Sequence, residues 1–165
     1  MNDRPFNPNE PLGYFITWTC YGTWLPGDER GWHEWGKGEQ VGPDYELQKT
    51  ARSKMVESEF LMSTTDRAIV EETIRKHCDI RHWTLHRANA RTNHVHVVVT
   101  SPNYSPQTVR DQFKSWCTRK LKPHHPGREH FWTEGASLRY INHEEDLEVA
   151  IEYAGDAQDR KDRDG

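Results

Sequence analysis

The stretch Asn93–Thr100, NHVHVVVT, constrains the fold more than any other part of the chain. Four of its eight residues are valine, and β-branched side chains favour a pleated strand over a helix. Successive strand side chains point to opposite faces. His94 and His96 therefore share one face, and Val95, Val97 and Val99 share the other. The valine face belongs in a core. The histidine face puts two imidazoles side by side on a rigid floor, where they can hold one metal ion. His-x-His spacing alone also fits a pair of half-exposed strand histidines.

The neighbouring run Trp83–Asn89 (WTLHRAN) also predicts a strand, and the two would pair as an antiparallel hairpin. Gly13–Cys20 (GYFITWTC) predicts another, from its β-branched and aromatic residues. A Gly- and Trp-rich loop follows, within an insertion over about residues 22–64. Its Trp24, Trp32 and Trp35 are candidates for anchoring the loop or stacking on bases. Tyr45–Phe60 is weakly helical. From Asp66 to about Ile80, Ile69, Val70, Ile74 and Cys78 form a helical stripe, with Thr64, Thr65 or Asp66 as its cap. Ser105-Pro106 marks a helix start. Val109, Phe113, Trp116, Cys117 and Leu121 then recur at helical spacing until Pro123. Ser137–Ile141 is a short strand candidate. Asn142 and Glu145 resemble a capping box opening a last helix with Leu147, Ala150, Ile151 and Ala154 on one face.

The predicted order is βαββαβ plus a C-terminal helix. It predicts an α+β, ferredoxin-like sandwich: an antiparallel sheet with helices on one face, and the last helix added to it. The 165 residues suit one domain, taken as 1–158, with a charged, disordered tail at 159–165. No run of about 18 apolar residues is present, and the N-terminus lacks a secretory pattern, so a cytoplasmic location is expected. Cys20, Cys78 and Cys117 are odd in number and widely spaced, which predicts buried thiols and excludes a CxxC-type metal knuckle.

Net charge is −4, yet it is segregated along the chain. Between Gln107 and Glu129, six basic residues (Arg110, Lys114, Arg119, Lys120, Lys122, Arg128) face two acidic ones. The segment His143–Gln158 is acidic. A basic stretch of this kind is a candidate nucleic-acid surface or a solvated helix face. Tyr153 lies on the flank of the last helix's apolar stripe, from which it can reach the sheet or simply border solvent.

The segments NHVHVVVT, LKPHHPGREHFWTEGASLRYI and EEDLEVAIEYAGDAQ resemble the REP-associated tyrosine transposases and the insertion-sequence-200-like single-tyrosine HUH transposases. The opening GYFITWTCYGTWLPGD resembles the first strand and turn of some members, so the likeness spans all but the charged tail. It implies the same ferredoxin-like fold. It implies that His94 and His96 are catalytic and hold a divalent cation, Mg or Mn, and that Tyr153 is the nucleophile. The implied reaction is metal-dependent cleavage and rejoining of single-stranded DNA, beside a hairpin, through a 5′-phosphotyrosine. A phenol ionises near pH 10 and needs such activation at neutral pH.

Many members carry Asn or Gln four residues after the tyrosine as a third ligand. Here that position is Ala157, and Gln158 stands one further on. Residues five apart on a regular helix lie about 140° apart, so Gly155 would have to loosen the helix for Gln158 to serve; Asp156 is the other candidate. The DNA-facing candidates are Arg110, Lys114, Arg119, Lys120, Lys122 and Arg139, with His130 nearby. A homodimer is the expected assembly. Three alternatives remain: a domesticated DNA-binding module with a degraded site, an RNA-binding module, and a metal-dependent hydrolase. The RNA-binding module would need exposed aromatics on its strands, where this chain has histidines and valines. The hydrolase would release free ends without an adduct.

Overall fold

A computed structural model describes residues 10–23, 32–33, 40–41 and 44–156, with backbone only at 32–33 and 40–41. The elements in order are β1 (Gly13–Thr19), β2 (Trp32–His33), β3 (Gln40–Val41), α1 (Tyr45–Ser53), α2 (Thr64–Arg81), β4 (Thr84–Ala90), β5 (His94–Thr100), α3 (Pro106–Leu121), β6 (Ser137–Ile141) and α4 (Glu144–Asp156). Four strands form one sheet in the order β4-β5-β1-β6, every neighbouring pair antiparallel. β1, α2 and β4 make a crossover with β5 inserted between the two strands. This is the expected ferredoxin-like arrangement. β2 and β3 form a separate two-stranded pair inside the insertion.

β5 occupies an interior position because its residues His94 to Val99 are all buried. Val95, Val97 and Val99 face α2 and α3. They join Ile16 and Trp18 of β1, Val70 and Ile74 of α2, and Val109, Phe113 and Leu121 of α3 in the main core. The opposite face is covered by α4. There Ala150 and Ala154 pack on Val98 and Ile141, flanked by Phe15, Leu147 and Ile151. The stripe expected on the last helix is thus the surface it buries. Small residues at 150 and 154 let this helix lie close to the sheet.

Helix starts follow local chemistry. Ser105 caps α3 by accepting from the Thr108 N–H, with Pro106 in the first turn. The cap of α2 is Ser63, one residue before the Thr64, Thr65 and Asp66 candidates. Asp66 completes a capping box by accepting from the Ser63 N–H. α4 begins at Glu144, so the Asn142–Glu145 box expected there is displaced, and His143 O accepts the first helical bond, from the Leu147 N–H.

The segment expected to be weakly helical from Tyr45 to Phe60 is helical only to Ser53, and α1 buries nothing. Beyond it the Phe60 and Met62 N–H groups donate to Tyr21 O and Thr92 O. That extended backbone carries both side chains, two residues apart, into the core. All three cysteines are buried and free. Burial pushes the Cys78 thiol up to about 12, and those of Cys20 and Cys117 further. The side chains of Trp24, Trp32 and Trp35 and the tail at 159–165 lie outside the described residues.

Candidate active site

The sheet face beneath α4 is built row by row. At one level Asn89, His96, Thr17 and Ser137 stand side by side across the four strands; at the next stand Arg87, Val98, Phe15 and Arg139. α4 covers the second row with its alanines and brings Tyr153 over the boundary between the two. The Tyr153 ring lies 6.0 Å from His96 and 5.9 Å from Phe15, centroid to centroid. Tyr153 is 56% exposed.

The imidazoles of His94 and His96 are 4.7 Å apart by centroid and inclined at 76°. They are only 1% and 5% exposed, so their orientation depends on polar partners. His94 Nδ1 is 2.7 Å from Asn93 Oδ1. An amide oxygen can only accept, so Nδ1 carries the proton and Nε2 the lone pair. His96 Nδ1 is 2.7 Å from Thr17 Oγ1, its cross-strand neighbour. A ring held by its δ-nitrogen to a protein oxygen is the usual arrangement of metal-binding histidines; at His96 it puts the lone pair on Nε2 when Thr17 accepts from Nδ1. The donor chemistry fits a divalent ion.

Among the described residues, no group of three or more His, Cys, Asp and Glu side chains that could hold a metal ion stands together. Gln158 lies outside the described residues. α4 is helical through Gly155 to Asp156. Two contacts from β4 hold this turn. Asn89 Nδ2 donates to Ala154 O at 2.7 Å, and the Arg87 guanidinium lies across Gly155.

The basic candidates divide by face. α3 packs on the sheet face opposite the histidines. Arg110 Nε donates to Asp111 at 2.9 Å, Arg119 stacks on Trp116 at 4.7 Å, Lys122 is 3.7 Å from Glu129, and Lys120 is exposed. Lys114 Nζ donates to Thr133 O and Gly135 O at 2.9 and 3.0 Å, tying down the segment before β6. Burial, with Arg110 nearby, pushes its ammonium down to about 8. His130 pairs with Glu57 through Nδ1. Of the six, Arg139 alone shares the face that carries His96 and Tyr153. Thr17, Phe15, Arg87 and Asn89 escaped sequence reasoning. Their only signal was alternation within a strand, and the register that makes them neighbours of His96 and Val98 is long-range.

The sequence profile described as IS200-like transposase matches residues 50–155, which takes in both histidines and Tyr153. The chain belongs to the IS200-like transposase family. No curated protein matches it. Among solved structures, this IS200-like chain is similar to a REP-associated tyrosine transposase bound to a REP hairpin. The TM-score is 0.53 at 13% identity, covering 93% of this chain and 70% of the other. A protein of Deinococcus radiodurans R1, provisionally assigned as a transposase, aligns at TM-score 0.46 and 11% identity, covering 96% and 99%. At such identities the first likeness establishes the fold. Family membership points to a DNA-processing enzyme. Among the described residues, no helix of this transposase-family chain is long and apolar enough to cross a membrane.

Proposed function

We propose that this chain cleaves and rejoins single-stranded DNA by transesterification on Tyr153. The observation that carries the reading is the meeting of His94, His96 and Tyr153. They come from β5 and α4, more than 50 residues apart in sequence, and lie on one sheet face with the tyrosine ring 6.0 Å from His96.

Tyr153 Oη attacks the scissile phosphorus and releases its proton to solvent. The bond from phosphorus to the 3′-oxygen breaks, and that oxygen leaves as a 3′-hydroxyl. The 5′-phosphate stays on the tyrosine as a diester. In the reverse sense an incoming 3′-hydroxyl attacks the same phosphorus, the phenol leaves, and the strand is rejoined without ATP. His94 and His96, oriented by Asn93 and Thr17, would hold Mg²⁺ or Mn²⁺, which withdraws charge from the phosphate. Two imidazoles alone would suit softer ions, and an oxygen donor such as Gln158 or a phosphate shifts the preference toward harder ones. Arg139, on the same sheet face, would contact a phosphate, and Phe15 lies beside Tyr153. The REP hairpin bound by the structural relative supports a strand flanked by a hairpin as the substrate class.

The test is a denaturing gel with labelled single-stranded DNA from the gene's flanks and Mg²⁺ or Mn²⁺. A slow-migrating adduct with the native chain and none with Tyr153→Phe is the expected result. Binding without an adduct would replace this reading with a domesticated DNA-binding module, and free cleaved ends without an adduct would indicate a hydrolase.

A further inference from the structure

Asn89 stands on β4 directly beside His96 in the strand register. It is 9% exposed, and its Nδ2 donates to the carbonyl of Ala154 at 2.7 Å, across 65 residues of sequence. Ala154 is fully buried and follows Tyr153. One amide therefore neighbours a member of the histidine pair and grips the backbone next to the tyrosine.

The grip falls on the turn of α4 that carries Tyr153, one residue beyond it, so it fixes the distance between that turn and β4. With Ala154 fully buried, water is poorly placed to replace a lost donor. Arg87, on the same face of β4, braces the turn from outside: a Cβ at Gly155 would meet its Nη2 at 2.6 Å and its Cζ at 2.7 Å.

We infer that Asn89 is a positioning residue of the proposed strand-transfer site, holding the Tyr153–Asp156 turn of α4 on β4 so that Tyr153 is presented at the level of His96. The inference rests on the reading of Tyr153 as nucleophile. Asn89 lies beneath α4, so it acts on the reaction step and not on DNA affinity. A misplacement of about 1 Å can cost about 100-fold in rate.

The experiment compares the full chain with Asn89→Leu, which keeps the side-chain shape, and Asn89→Ser, which restores a shorter donor. Three quantities are measured: the single-turnover rate of adduct formation at saturating DNA, the DNA Kd, and amide hydrogen exchange across α4. The expected result for Asn89→Leu is a rate at least tenfold lower, a Kd within threefold, and faster exchange confined to the Tyr153–Asp156 turn of α4. Asn89→Ser recovers part of the rate. An unchanged rate, or a rate and affinity that fall together, overturns the inference. Should the leucine variant not fold, the serine variant carries the same comparison at smaller amplitude. Should the native chain form no adduct, the transferase reading fails by itself, and the exchange measurement alone decides whether Asn89 anchors the helix; unchanged exchange in α4 then overturns the anchor too.

Discussion

Replacing Thr17 by Val removes one hydroxyl while keeping the side-chain shape and the β-branching that suits β1. The hydroxyl lies 2.7 Å from His96 Nδ1, on a ring only 5% exposed. Its loss leaves a buried imidazole nitrogen without its partner, a penalty of about 1–3 kcal/mol. Part of this appears as lower stability. The rest appears as a ring free to turn away from the orientation it shares with His94. Loss of a partner of this kind lowers metal affinity by about 10–100-fold, and tenfold corresponds to about 1.4 kcal/mol. On the proposed reading, Thr17→Val shifts the Mn²⁺ concentration for half-maximal adduct formation upward by at least tenfold. Saturating Mn²⁺ recovers most of the rate, and DNA affinity stays the same. Mn²⁺ titration by electron paramagnetic resonance on the DNA-free protein provides the parallel binding measurement. An unchanged Mn²⁺ requirement in both assays would refute the view that Thr17 orients a metal-binding His96. A rate loss that Mn²⁺ cannot restore would refute it as well.

Other regions make separate predictions. Burial pushes the Asp66 carboxyl up, but hydrogen bonds from His125 and Ser63 outweigh it and hold the group below the usual carboxylate range. Its stabilising contribution is therefore present above about pH 4 and is lost as pH falls through the depressed value. Asp66→Asn should lower the urea midpoint at pH 7 and flatten its decline below pH 4; an unchanged acid slope counts against the linkage. Arg139→Ala should weaken single-stranded DNA binding and reduce the salt dependence by about 0.7 in log–log slope. Lys114→Met should instead lower the thermal midpoint, by the loss of its bonds to Thr133 O and Gly135 O, and leave that slope alone. The opposite pattern would move the DNA to the α3 face. The three thiols, buried and pushed up, should be inert to a thiol-reactive disulfide reagent at pH 8 until the chain unfolds. Fast reaction of the native protein would show that this part of the core opens.

Local rules made much of this chain legible from sequence. The alternation in β5 settles which residues share a face, because a strand repeats every two residues whatever surrounds it. Ser105-Pro106 and Ser137–Ile141 carried their boundaries in their own chemistry. The stripe at Leu147, Ala150, Ile151 and Ala154 showed which side of α4 is buried. Periodicity cannot say which side of a sheet a helix will cover. Thus the basic residues of α3, close in sequence to the strand of histidines, lie across the sheet from them, while Arg139 on β6 shares their face. The helical tendency of Tyr45–Phe60 yielded after Ser53 to an extended path that the Phe60 N–H ties to Tyr21 O. Only the tertiary structure decided that Thr17 meets His96, that Asn89 reaches Ala154, and that α4 lays Tyr153 over β5. These contacts join residues 57 to 79 positions apart, and they arise from strand register and helix docking, which depend on burying both faces of the sheet at once.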